Sequence, residues 1–269
     1  MEHRTACRKM KHLKKMMTCC AVETSAIQTY VQYKVGAILL NFLPQWRSID
    51  QSNRIQRGIA LTWRDQDSVH NLEVLKRKTA FKEDQEAHSS LSKIIQQELE
   101  DDVISQVPDS FLKCWNQIFA ISKKNGGWRK IIDCQILNSQ LQTEYFMLKG
   151  ITDIQEIIMP NDWATTIDLH QAFHRIREAE ELQPYPCFSF YGLSYSCKGM
   201  PYGVSKTPRT FIKCLQLIIA ETMKRCSSRI FVYVDDILIL DQVLTILQHE
   251  IQQVMKIYSQ SRFRRQSGY

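Results

Sequence analysis

The run Ile230-Phe231-Val232-Tyr233-Val234-Asp235-Asp236-Ile237-Leu238-Ile239-Leu240 sets two adjacent carboxylates in the middle of an otherwise apolar stretch. Like charges this close disfavour joint ionisation unless a cation neutralises them. The apolar and β-branched residues on either side predict two strands, with a turn at the acidic pair. Two meanings fit. Asp is a favoured turn residue, so the pair is either the polar tip of a hairpin or a device that delivers carboxylates to a divalent metal.

Bulk properties exclude some classes. A chain of 269 residues holds one large domain or two small ones, and 44% apolar content suffices for a core. The longest apolar stretch near the start, residues 35–43, is far short of the ~20 residues a membrane span needs. The basic start lacks the apolar segment of a signal peptide. The nine cysteines show no CxxC and no zinc-finger spacing, which suits reduced thiols of an intracellular protein in cytoplasm or nucleus. The net charge of +7 is uneven: Arg4, Arg8, Lys9, Lys11, Lys14 and Lys15 crowd the start, and Arg262, Arg264 and Arg265 the end. Such a balance suits a polyanionic partner or a solvated surface.

Periodicity predicts a short helical patch over residues 30–42 and an amphipathic helix over residues 89–107. The latter carries Leu91, Ile94, Ile95, Leu99 and Val103, is capped by Ser89 or Ser90, and is closed by Pro108. A hairpin follows, with strands 118–122 and 128–134 around Asn125-Gly126-Gly127. Further along come a helix over 153–158, a strand over 163–169, a helical turn over 170–177, and a hairpin of 187–190 with 193–197 around Gly192. Next is a helix with Thr207 as N-cap and Pro208 at its first position. After the acidic hairpin, Leu244, Leu247, Ile251, Val254 and Tyr258 mark a last helix. Hairpins outnumber crossovers, so the expected class is α+β, with a mainly antiparallel sheet and helices on one face. The expected division is 1–88, a helical or partly disordered region of unassigned function, and 89–269, the domain that carries the chemistry.

Other residues extend the acidic pair. Asp168 ends the strand Thr165-Thr166-Ile167; it is a helix N-cap or a further metal carboxylate, as two-metal phosphoryl transfer requires from separate strands. Lys123, Lys124 and Arg129 flank the Gly-Gly turn, either as solvent-facing charges or as cations that close over a triphosphate. Residues 199–208 form a loop feeding a helix, in which Gly203 permits close backbone approach.

In order, these pieces resemble the reverse transcriptase family. Lys123-Lys-Asn-Gly-Gly-Trp-Arg129 through Leu137-Asn138 is similar to the family's fingers hairpin. Asp162-Trp163 through Ile176 is similar to its first catalytic motif, residues 200–211 to its template-grip motif, and Tyr233-Val-Asp-Asp236 to its metal hairpin. The Gly-Gly-Trp-Arg and Asp-Trp pieces are most like retrotransposons of the DIRS type, which use a tyrosine recombinase, and next like gypsy-type elements. The resemblance implies a fingers-and-palm fold with a ferredoxin-like palm sheet. It also implies an RNA-directed DNA polymerase that joins a dNTP to a primer 3′-hydroxyl on an RNA template, with two Mg²⁺ ions or Mn²⁺ in their place. Asp168, Asp235 and Asp236 with the Leu169 carbonyl would ligate the metals, and Lys123 and Arg129 would hold the triphosphate. Phe173 would gate the sugar, with Tyr202 and Gly203 lining the pocket. Tyr233, Val234, Pro201 and Arg209 would meet primer or template. The chain departs from the pattern at Gln171, at Cys134-Gln135 and at Phe173, where Tyr is commoner. After Ile257 it no longer follows the family, so a thumb is expected to be missing. Two readings follow: an active polymerase, or a truncated transposon remnant that keeps the fold and binds nucleic acid.

Overall fold

The computed structural model describes residues 35–42, 47, 52–58, 62–77, 85–123, 126–142, 145–147, 150–169 and 171–260. Its helices are α1 (Ser52–Arg57), α2 (Ser68–Val74), α3 (Gln85–Glu100), α4 (Gln135–Ser139), α5 (Ile151–Ile157), α6 (Thr207–Met223) and α7 (Leu244–Gln260). Its strands are β1 (Ile104–Val107), β2 (Gln117–Ser122), β3 (Trp128–Asp133), β4 (Trp163–Asp168), β5 (Phe188–Phe190), β6 (Leu193–Cys197), β7 (Arg229–Tyr233) and β8 (Asp236–Asp241). Mixed helices and antiparallel sheets make this an α+β fold. Contacts group the described parts of 146–170 and 212–269 into one unit, and those of 32–145 and 171–211 into a second.

The second unit is built on a β1–β6–β5 sheet and the β2–β3 hairpin, both antiparallel. Leu91 and Ile95 of α3 pack in one cluster with Ile104, Ile118, Ile132 and Phe188. Val35 and Leu72 join that cluster, so residues before the sequence boundary at 88 share a core with residues after it. Lys130 of β3 pairs with Glu98 of α3 and lies 4.3 Å from the Phe188 ring centre, tying helix to hairpin.

The helix expected over 89–107 is corrected at both ends. It begins at Gln85 and stops at Glu100. Asp102 adopts φ 58°, its N–H donates to the Leu99 carbonyl at 3.1 Å, and the Val103 N–H donates to the Glu98 carbonyl at 2.9 Å. This is a Schellman stop, with Asp where Gly is usual. Residues 104–107 then pair with β6 instead of continuing the apolar stripe. The turn expected over 170–177 is a 3-10 segment, Phe173–Arg175, and His170 lies outside the described residues. Of the patch over 30–42, the 3-10 segment Ile38–Phe42 is described.

The first unit is a β4–β8–β7 antiparallel sheet. Its central strand is apolar on both faces, with Ile237, Leu238, Ile239 and Leu240 all buried. Leu247, Ile251 and Val254 of α7 are buried as well, and α7 packs against β8 and β4. At one end of the sheet Arg229 forks onto the Asp162 carboxylate and also donates to the Ile157 carbonyl at 2.6 Å. The Glu250 carboxylate accepts from Ser227 N at 2.7 Å and Ser228 N at 2.8 Å. Burial pushes its pKa up, but these serine hydrogen bonds outweigh burial and hold the carboxyl below its ordinary value. No helix among the described residues is long and apolar enough to cross a membrane.

One buried charge site stands out in the second unit. Glu178 is 1% exposed, and neither carboxyl oxygen has a hydrogen-bond partner among the described residues. It shares electrostatic surroundings with the buried thiols of Cys134, Cys187 and Cys197. Burial raises its pKa well above the ordinary carboxylate value. A raised folded pKa means that the associated stability is whole at low pH and is lost as pH climbs above the unfolded-state value. Glu178→Gln is therefore expected to melt close to the parent near pH 4. Above that it should melt increasingly higher, by roughly 4 °C or more near pH 8, as thermal unfolding across pH will read. A gap that does not change with pH would contradict the burial of an ionisable acid.

Candidate active site

The acidic hairpin forms as the sequence predicts, and its register decides what it meets. β4 pairs with β8 so that Asp168 faces Asp236, followed by Ile167 with Ile237 and Thr166 with Leu238. Directly opposed residues share a face, with Cβ atoms ~5 Å apart, and like charges so placed are destabilising without a counter-ion. Asp235 sits next door in the two-residue turn between β7 and β8, where its carbonyl accepts from the Leu169 N–H at 3.1 Å. All three aspartates are half-buried. Carboxylates and a backbone carbonyl are the hard oxygen donors that Mg²⁺ selects, so the donor type fits a divalent ion. Among the described residues, however, no group of three or more His, Cys, Asp or Glu side chains is gathered as a metal site. The backbone brings the carboxylates together, and their side chains are not drawn into one cluster.

Val234 carries the strain of this turn. Its φ is +55°, a region a β-branched residue rarely enters, yet its side chain is only 7% exposed. Val234 and buried Tyr233 line an apolar groove of about 150 Å³ together with Val232 of β7 and Ile212, Ile219 and Met223 of α6. The expected primer-side residues thus turn their side chains into the unit's own groove.

The expected nucleotide-pocket residues lie in the second unit. Phe173 is buried, its ring edge-on to Phe211 at 4.9 Å and to Tyr202 at 4.7 Å. Tyr202 is 40% exposed and also meets His174 at 5.2 Å. Two glycines let the loop come this close. A Cβ on Gly199 would lie 2.1 Å from the His174 carbonyl oxygen, and one on Gly203 would lie 2.4 Å from that of Ile132. Gly203 also holds φ +124°. Pro201 is buried, and its carbonyl accepts from the Thr207 hydroxyl at 3.1 Å. The Thr207 hydroxyl therefore ties down the loop, and α6 begins at Thr207 itself, a correction to its expected role as N-cap. Arg209 is half-buried in the first turn of α6.

Lys123 and Arg129 are both exposed on the β2–β3 hairpin. The Lys123 N–H donates to the Gly127 carbonyl at 2.9 Å, and Gly126 and Gly127 both take positive φ. Alternation along β3 puts Arg129 on the face opposite Lys130, away from the core. Lys124 and Asn125 lie outside the described residues. The site residues are thus gathered as two sets: Asp168, Leu169, Tyr233, Val234, Asp235 and Asp236 in the first unit, the remainder in the second. The sequence reading assigned Asn138 no role, yet its amide bonds the backbone at Gly203 and Ser205. Two signals point at it: Asn is a weak helix former inside a helix, and Asn138 closes the stretch similar to the fingers hairpin.

Residues 121–266 match the family described as reverse transcriptase (RNA-dependent DNA polymerase). This chain belongs to the reverse transcriptase family. It is 32% identical over 137 residues to the Gag-Pro-Pol polyprotein of Human T-cell leukemia virus 3 (strain Pyl43), covering 48% of this chain and 10% of that protein. It is 31% identical over 128 residues to the retrovirus-related Pol polyprotein from transposon 297 of Drosophila melanogaster, covering 47% and 12%. The Pol-related polyprotein of mouse intracisternal A-particle MIA14 is 28% identical over 156 residues, covering 54% and 18%. The matched stretch is thus a small part of each of these long polyproteins.

Two substitutions separate strain from packing in this chain. Gly203→Ala is expected to lower stability by about 2 kcal/mol, because the methyl meets a backbone carbonyl at a positive φ. Val234→Gly is expected to stay within about 1 kcal/mol of the parent in denaturant unfolding, since relief of turn strain offsets the lost buried side chain.

Proposed function

We propose that this chain is the RNA-directed DNA polymerase portion of a retroelement, transferring a dNTP onto a primer 3′-hydroxyl on an RNA template inside the cell, in cytoplasm or nucleus. The observation that carries the proposal is the β4–β8 register, which opposes Asp168 and Asp236 beside the Asp235 turn. In this reading Asp168, Asp235, Asp236 and the Leu169 carbonyl hold two divalent ions, Mg²⁺ or Mn²⁺. The chemistry such ions supply is activation of a hydroxyl nucleophile and stabilisation of a leaving pyrophosphate.

The chain's own side chains do the rest. Lys123 and Arg129, projecting from a glycine turn, neutralise the triphosphate, Arg129 through its planar fork. Phe173 lies beneath the deoxyribose and excludes a 2′-hydroxyl by bulk; the rings of Tyr202 and Phe211 keep it from retreating. Gly203 lets the loop backbone approach the incoming nucleotide. Pro201 and Arg209 on the template side, with Tyr233 and Val234 at the primer end, position the duplex. The Gly-Gly-Trp-Arg and Asp-Trp pieces support a DIRS-type lineage, and a gypsy-type one after it.

Primer extension on an RNA template tests the proposal. Asp235→Asn is expected to cut incorporation roughly a thousandfold or more while primer–template affinity stays within a few-fold. Extension unchanged in the variant would sink the assignment. Nucleic-acid binding by the parent with no incorporation in Mg²⁺ or Mn²⁺ would instead make the chain a remnant that keeps the fold without turnover.

A further inference from the structure

We propose that Asn138 is a positioning residue of the nucleotide pocket, its amide holding the loop that carries Tyr202 and Gly203 against β3. The inference rests on the polymerase reading for what the pocket binds, but the clamp itself is independent of it. Asn138 Nδ2 donates to the Gly203 carbonyl at 2.8 Å, and its Oδ1 accepts from the Ser205 N–H at 2.8 Å. The carbonyl can only accept and the N–H can only donate, so one amide orientation satisfies both. The two bonds straddle Val204, whose side chain is buried in one cluster with Ile132, Cys134 and Leu137. Gly203 lets the loop close on the Ile132 carbonyl, and Asn138 bonds the same stretch of backbone.

The platform for this clamp is α4, five residues long and far too short to stand alone. It is fixed by buried Leu137 beneath and by the Asp133 carboxylate, which accepts from the Gln135 N–H at 3.0 Å. No other side chain reproduces the pair of bonds from that platform. Asp keeps the acceptor but turns a second oxygen on the Gly203 carbonyl. Gln carries the amide one methylene farther, and Ser has a single atom for two partners. Tyr202 precedes Gly203 and packs against Phe173, so slack in the loop moves the ring that backs the sugar gate. Asn138 acts through the loop and need not touch the nucleotide.

The full chain and two variants, Asn138→Ala and Asn138→Asp, provide the test, with thermal melts to show that each is folded; Asp carries it if Ala fails to melt cooperatively. Hydrogen exchange without substrate is read first at the Ser205 amide. It should exchange roughly tenfold faster in Asn138→Ala and stay near the parent in Asn138→Asp. An unchanged rate in Asn138→Ala would overturn the clamp, as would a rate in Asn138→Asp roughly tenfold faster than the parent's if Ala is unfolded. Single-nucleotide incorporation is read second. Both variants should raise KM for dTTP, by about tenfold in Asn138→Ala, with kcat within about twofold and weaker discrimination against UTP. Faster exchange with an unchanged KM and unchanged discrimination would overturn the positioning role. If the parent incorporates nothing, equilibrium binding of dTTP replaces KM, and equal affinity in parent and variants would again overturn it. Failure of the polymerase reading is thereby kept apart from failure of the clamp.

Discussion

The antiparallel pairing of β4 with β8 is the constraint on which the acidic site depends. β8 is central and apolar on both faces, so burial alone does not decide its register; a slip would still bury Ile237 through Leu240. The ends of the sheet do decide it. The fork of Arg229 onto Asp162 fixes β4 and β7 on either side of β8 at one end, and the Leu169 N–H bond to the Asp235 carbonyl closes the other. Between these ties, Asp236 has one place to go, opposite Asp168. The electrostatic cost of that opposition is the feature that makes a divalent partner physically sensible.

The second unit solves a different problem, that of bringing backbones close without losing hydrogen bonds. Gly199 and Gly203 remove the side chains that would collide, and Thr207 and Asn138 satisfy the carbonyls and the N–H left at the loop. The Tyr202 ring stays partly exposed, set against Phe173. The largely buried ion pair of Lys130 and Glu98 works at the same scale, since it joins β3 to α3.

What the sequence disclosed and what it withheld follow the range of the interactions. Hairpins were legible because their signals are local: Gly126-Gly127 and Gly192 take the positive φ their turns require, and apolar runs flank Asp235-Asp236. Motif order alone singles out the three aspartates and Phe173 as candidates. The end of α3 was not, because Val103 continues the helical stripe and only the left-handed Asp102 stops it. β1 was hidden for the same reason, since its partner β6 lies far along the chain. Asp162 and Asn138 fall at the ends of motif-like stretches with no role of their own, and Glu178 looks like an ordinary surface residue in sequence. Their places depend on Arg229, on Gly203 with Ser205, and on burial without a hydrogen-bond partner among the described residues, none of which is local.

The way the chain alternates between its two units sets an order of assembly. The second unit has all its described residues once residue 211 is made, whereas the first has β4 early but lacks β7 and β8 until residue 241. During synthesis from the N-terminus, β4 must therefore wait with both edges open while the other unit closes. The carboxylates come together only late, when β8 arrives as the middle strand. A ribosome that stalls between those points leaves an unpaired strand exposed, the kind of edge on which misassembly and chaperone capture act.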